Sequence, residues 1–302
     1  MKQPVYPSTL ATEPKVWMNL SQEQLDWAYD QAHHAPNRVD VLAKIASNSA
    51  VSGSKAPSPL RLAYGSQEIE HLDWYVSERQ NAPLVFFVHG GAWKSGSAKD
   101  NALQVHWLIK KGFSVVIPDF DAVTSVQGNL AHLAQQVQNA LLFTHREARV
   151  HHADPQKIVV VGHSSGAHLS ACMVTRNWEA LGLKEHPVRA LLCCSGMYEL
   201  EPVSLSARSQ YVDFNPAVIE DLSPLRRIEA FQMPVALLCG EHESPEFIRQ
   251  FRDFEDRLKL SNAKLQSQSI EGVNHFEILE TLFDEHSAHA IALSDLLDSI
   301  DV

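Results

Sequence analysis

The sequence predicts a mostly parallel α/β sheet covered by helices on both faces, and three observations carry that prediction. Apolar runs of strand length, such as LVFFVH at 84–89 and KIVVVG at 157–162, are continuous rather than alternating. Continuous apolar strands are those buried on both faces of a sheet. Helical stretches separate them at 98–111, 128–148, 165–177, 245–260 and 286–299, the order expected of strand–helix units in a parallel sheet. The chain has 302 residues, 45% hydrophobic and 20% charged, which suits one soluble domain spanning 1–302.

Taken in order, the N-terminal helical segment covers about 14–52. Ser21-Gln-Glu-Gln24 is a capping-box pattern, and Leu25, Ala28, Tyr29 and Ala32 repeat at helical spacing. A second short helix is expected over 39–49. VSGSKAPSPL at 51–60 reads as a loop, because Pro, Ser and Gly punctuate it. Residues 61–65 and 69–76 read as a hairpin that starts the sheet. Buried-type strands follow at 84–89, 113–118, 157–162, 188–195, 234–240 and 263–270. One long interruption, about 197–231, lies between two strands. It is expected to form a small cap over the C-terminal strand ends, where open α/β sheets place their sites.

Composition removes several function classes. A net charge of −11 argues against nucleic acid and anionic membrane, which need clustered Lys and Arg. No apolar run approaches the roughly 20 residues of a membrane helix. The N-terminus has no apolar signal region, so the sequon Asn19-Leu20-Ser21 carries no weight. Cys172, Cys193, Cys194 and Cys239 all fall in apolar segments, as buried reduced thiols of a cytoplasmic protein would. His33-His34 and His151-His152 lack ligand spacing, so no metal is expected. No G-x-G-x-x-G follows a strand, so no dinucleotide or other cofactor is expected.

Chemistry concentrates at Gly162-His163-Ser164-Ser165-Gly166, a G-x-S-x-G between a strand and a helix. A sharp turn there holds its central residue clear of the sheet, and the residues two before and two after must be small. Ser164 is therefore the candidate nucleophile, and the Ser165 N–H faces the developing oxyanion. A phosphate-binding turn is the bland alternative, but no Lys follows. His89-Gly90-Gly91-Ala92-Trp93 comes straight after a strand. Its glycines let backbone N–H groups approach an oxyanion, so Gly91 and Ala92 join Ser165 as candidate donors. His89 is expected to order this loop rather than take part in chemistry.

A serine needs a base. In chains built around this elbow the order is serine, acid, histidine. After the last plausible acid only His275, His286 and His289 remain. The last two sit three apart in an amphipathic terminal helix and are expected to face solvent, which leaves His275, in the loop after the final strand. The acid lies in Glu241-His-Glu243-Ser-Pro-Glu246. Glu243 is favoured, with Glu241 and Glu246 as alternatives; Glu246 reads as a first-turn helix charge. Asp119 and Asp121 precede Ser164 and read as loop structure.

These residues, together with "HGGAW", "GHSSGAHL", "SGMYELEP", "GEHESPEF" and "VNHFEILE", resemble the arylformamidase (kynurenine formamidase) branch of the α/β-hydrolases. The resemblance spans most of the chain. It implies the α/β-hydrolase fold and hydrolysis of N-formyl-L-kynurenine to L-kynurenine and formate, with Ser164 as nucleophile, Glu243 as acid and His275 as base. It departs from the branch twice: the acid is usually Asp, and Ser165 stands where Ala is usual. Trp93 and Tyr198 are candidates to line an aromatic pocket. The expected partner is a small aryl formamide, or, as the alternative, a short-chain acyl or aryl ester. A non-catalytic ligand-binding protein of the same fold is a third reading. The sequence is compatible with a homodimer and does not decide it.

Overall fold

One sheet organises the chain, and the computed structural model describes residues 6–7, 13–261 and 263–300 around it. Its strands are β1 (Leu60–Ala63), β2 (His71–Tyr75), β3 (Ala82–Val88), β4 (Ser114–Pro118), β5 (Ala153–His163), β6 (Ala190–Cys194), β7 (Val235–Gly240) and β8 (Leu265–Ile270). They run in the order β1-β2-β4-β3-β5-β6-β7-β8. The hairpin β1–β2 is antiparallel, and β2 joins β4 antiparallel. From β4 to β8 every pairing is parallel.

The apolar runs explain the layering. Strands β3, β4, β6 and β7 are buried at every residue. Phe86, Val160, Leu191 and Leu237 face one core, with the helices Leu130–Glu147, Ser165–Val174 and Pro245–Lys259. Val85, Phe87, Val159 and Leu192 face the other, with the helices Arg38–Lys55, Val105–Lys110 and Ala288–Ile300. Each such buried side chain contributes roughly 1.5–3 kcal/mol. The four cysteines are free and buried. Among the described residues no helix is long and apolar enough to cross a membrane.

Three local readings are corrected. The expected loop at 51–60 begins as helix, which runs to Lys55. Burial of Ser49 and Ser52 overrides their low propensity, and the Ser52 hydroxyl accepts the His106 N–H at 3.0 Å. The expected helix at 98–111 splits into a 3₁₀ turn, Lys99–Asn101, and a helix, Val105–Lys110. Ala102, Leu103, Gln104 and Val105 are buried in succession, a pattern no single helix face supplies. His289 is fully buried, while His286 is exposed as expected.

Between β6 and β7 lie four short elements, Leu200–Ser204, Ala207–Gln210, Pro216–Asp221 and Pro224–Ala230. The N-terminal helix Gln22–Tyr29 has the reciprocal capping box between Ser21 and Gln24. It packs against the helix Pro245–Lys259, where the Gln250 amide donates to the Tyr29 hydroxyl at 2.8 Å.

Candidate active site

Ser164 sits at φ +56°, ψ −124°, between β5 and the helix Ser165–Val174. A non-glycine residue held there is strained. Its surroundings enforce the turn: the Ser164 N–H donates to the Cys194 carbonyl at 2.8 Å, which ties the bend to the end of β6. A Cβ at Gly166 would overlap the carbonyl oxygens of Val88 and His89. A Cβ at Gly162 would overlap the Gly166 carbonyl. The bend therefore exists only with small residues on either side of it.

His275 Nε2 lies 2.8 Å from Ser164 Oγ, and His275 Nδ1 lies 2.8 Å from Glu243 Oε2. An ionised carboxylate can only accept, so Nδ1 carries the proton and Nε2 is free to accept from the serine. The structure thus brings Ser164, His275 and Glu243 into one hydrogen-bonded chain. Glu243 is buried and held on both oxygens. Oε1 accepts the Gly240 N–H at 2.8 Å and the Ser195 hydroxyl. Oε2 also accepts the Gln31 amide at 2.9 Å. Burial acts to raise the Glu243 carboxyl, but the neighbouring His275 and these hydrogen bonds outweigh it and hold the group below the ordinary value. Of the alternative acids, Glu246 is committed to Arg249 by two hydrogen bonds, at 2.9 and 2.8 Å. Glu241 accepts the Gly272 N–H at 3.2 Å and makes no hydrogen bond to His275 among the described residues.

Three neighbours were not among the residues chosen from sequence, although His163 and Ser195 lie in quoted motifs. Gln31 bridges the first helices to the acid loop: its amide nitrogen reaches Glu243, and its oxygen accepts the Ser244 N–H at 3.1 Å. Ser195, at φ +58°, aims its hydroxyl at Glu243. His163 holds the His275 carbonyl at 2.9 Å. Burial, then the nearby His275, lowers His163 to about 3, so it is neutral and donates from Nε2.

The His89–Trp93 loop adopts left-handed backbone at Gly91 (φ +123°), Ala92 (φ +55°) and Trp93 (φ +61°). Any side chain at Gly91 would overlap the Ser95 carbonyl. The N–H groups of Gly91, Ala92 and Ser165 have no partner among the described residues. His89 stacks on Phe120 at 4.3 Å and contacts the Gly90 carbonyl at 3.0 Å, an ordering role for the loop. The Ser165 hydroxyl accepts the Trp93 N–H at 3.2 Å and so fastens the loop to the elbow. Asp119 accepts the Ala98 N–H at 2.6 Å and pairs with Arg61, a loop-building role.

A cavity of about 1310 Å³ opens over Ser164 and His275. Its aromatic wall comes from Trp27, Tyr29, Tyr211 and Phe276. The two residues chosen from sequence do not form that wall. Tyr198 is fully buried and stacks on Phe254 at 4.1 Å. Trp93 is 1% exposed and packs edge-on to His168 at 5.3 Å, outside the cavity lining. Each is a large apolar body that the core buries.

Comparison with known proteins places this geometry in context. A family model described as BD-FAE matches residues 72–190, from β2 into β6, including both the HGG loop and the elbow. The kynurenine formamidase of Danio rerio is 23% identical over 89% of this chain and 94% of its own length. That of Drosophila melanogaster is 28% identical over 73% of this chain and 75% of its own length. Among solved structures, a putative thioesterase from Silicibacter sp. superposes with a TM-score of 0.78 at 22% identity, covering 90% of this chain and 99% of its own. The chain has the α/β-hydrolase fold and is similar in sequence, along most of its length, to the kynurenine formamidases.

Proposed function

We propose that the protein is a metal-independent serine hydrolase that cleaves an aryl formamide, N-formyl-L-kynurenine, to L-kynurenine and formate. The observation that carries the reading is the continuous contact Ser164–His275–Glu243 on the floor of an aromatic-walled cavity. Ser164 Oγ attacks the formyl carbon as His275 Nε2 takes its proton. The oxygen of the tetrahedral intermediate is met by the N–H groups of Gly91, Ala92 and Ser165. One such donor is worth roughly 3–4 kcal/mol of transition-state stabilisation. His275 then protonates the departing aryl amine, and water releases formate from the formyl–Ser164 ester by the same steps in reverse. Glu243 keeps the imidazole in the required tautomer throughout.

The same atoms would hydrolyse a short ester, and the solved relative described as a thioesterase keeps that reading as the alternative. The deciding experiment compares kcat/KM on N-formyl-L-kynurenine with that on p-nitrophenyl acetate and butyrate. Efficient formamide cleavage is expected. Ester cleavage without formamide cleavage would give the alternative, and turnover of none of the three would give a binding protein.

A further inference from the structure

The cavity contains a cation whose hydrogen-bonding capacity the protein leaves largely unused. Arg208, in the 3₁₀ turn Ala207–Gln210, lines it. Of the five guanidinium N–H donors, Nη1 donates to the Tyr211 hydroxyl at 2.9 Å and Nη2 to the Tyr29 carbonyl at 3.3 Å. The Nε donor is buried and has no partner among the described residues. Among the described residues Arg208 makes no ion pair, whereas Arg61, Arg176, Arg226 and Arg249 all do. Burying part of an arginine without an anion is costly, although a chain of net charge −11 has many acids that could pair with it.

Its position is fixed. The guanidinium stands over the rings of Trp93 at 5.9 Å and Phe247 at 5.8 Å. Phe247 in turn meets the His275 ring edge-on at 5.0 Å, so the cation is held one aromatic ring away from the imidazole. Lys94 joins it. This residue follows the HGG loop, lines the same cavity, makes no ion pair among the described residues, and lies over the Tyr211 ring at 4.3 Å. Two cations without anions therefore meet at one phenol. Three acids of the cavity lining have other partners: Asp26 accepts the Ala207 N–H at 2.6 Å, Asp30 caps the Ala32 N–H at 3.0 Å, and Asp100 accepts the Ser97 hydroxyl at 2.7 Å.

We propose that Arg208, with Lys94, binds a carboxylate of the substrate, so that the site selects aryl formamides or esters carrying an anion on the leaving-group side. This deepens the reading of the site as a hydrolase. A formyl group has no position for a second substituent, so a formamide can present an anion only from its amine portion. The planar fork of Arg208 matches a carboxylate. Lys94 adds a point charge at the mouth.

The test uses two matched pairs: N-formyl-L-kynurenine against formanilide, and 4-acetoxybenzoate against phenyl acetate. In each pair only the first carries a carboxylate. In Arg208→Met the ratio of kcat/KM within each active pair is expected to fall about 10–100-fold, chiefly through KM. Arg208→Lys should recover part of it, and Lys94→Met should lower it about 3–10-fold. An unchanged ratio, with both members of a pair losing equally or not at all, overturns the proposal. If formamides are not cleaved, the ester pair still reports on the anion site, so the two readings fail separately. Calorimetric binding of L-kynurenine gives a readout without turnover. A Kd at least about 10-fold weaker in Arg208→Met is expected, and equal binding, or no binding to the unmodified protein, counts against it.

Discussion

At the scale of single residues, the candidate acid, Glu243, is one of two departures from the pattern the sequence resembles. Glu243 is one methylene longer than the usual aspartate, and the structure uses that length. Its carboxylate folds back to the Gly240 N–H and still reaches His275 Nδ1. Glu243→Ala is expected to lower kcat by about 10²–10⁴-fold, since the imidazole loses its orienting partner. Glu241→Ala should stay within about 3-fold of the unaltered enzyme; a larger loss there than at Glu243 would reassign the acid. Gln31 donates to the same carboxylate. Gln31→Leu should therefore lower kcat by about 3–30-fold with little change in KM, a pattern steady-state kinetics on the ester or formamide would separate from a binding defect. Ser164, Glu243 and His275 were legible because each sits at a strand end in a motif with its own local pattern. Gln31 was not, because it lies 212 residues from Glu243 along the chain and only the folded chain joins them. Trp93 and Tyr198 were misread for a related reason: an aromatic near a motif looks the same whether it faces a cavity or the core.

Among the elements, the strand–turn–helix unit β5–Ser164–helix is strained at Ser164 and closely packed at Gly162 and Gly166. Gly166→Ala places a methyl group against two carbonyl oxygens of β3 and its exit. It should cost roughly 3 kcal/mol or more of stability, since rigid backbone cannot give way as a side chain can. Chemical denaturation would measure this, and a loss under about 1 kcal/mol would contradict the packing described for the elbow. The terminal helix was expected over 286–299 and runs from Ala288 to Ile300, with His289 buried where solvent was expected. A histidine on an amphipathic helix is polar in any sequence count, yet His289 is buried by the core. Burial lowers it from 6.5 to about 4, as it lowers His168 to about 4 and, with His275 beside it, His163 to about 3. These imidazoles bind protons more readily in the unfolded chain. Their neutral burial thus contributes full stability above about pH 6.5, progressively lost as pH falls toward the folded values. The slope of Tm against pH between 6.5 and 4 should be shallower in His289→Gln than in the unaltered protein. Parallel slopes would show that His289 already exchanges its proton when folded.

For the molecule as a whole, the alternation of apolar strands and helices made the sheet and its two faces legible, because burial on both sides leaves a continuous apolar run. Its site is assembled from segments that are far apart. The first helices supply Trp27 and Gln31, the HGG loop supplies Gly91 and Ala92, the elbow supplies Ser164, and the stretch between β6 and β7 supplies Arg208 and Tyr211. Asn37 locks the first helices to the last loop through Glu277 at 2.7 Å and Asn274 at 2.9 Å. No periodicity announces such long-range closure, so the cavity wall was the least legible part of the molecule. The proposed mechanism turns on one oxygen, Ser164 Oγ. Treatment with a serine-reactive organophosphorus probe, followed by peptide mass mapping, tests this most directly. A single adduct on Ser164 is expected, greatly slowed in His275→Ala and absent in Ser164→Ala together with turnover. An adduct on another residue, or turnover that survives Ser164→Ala, would contradict it.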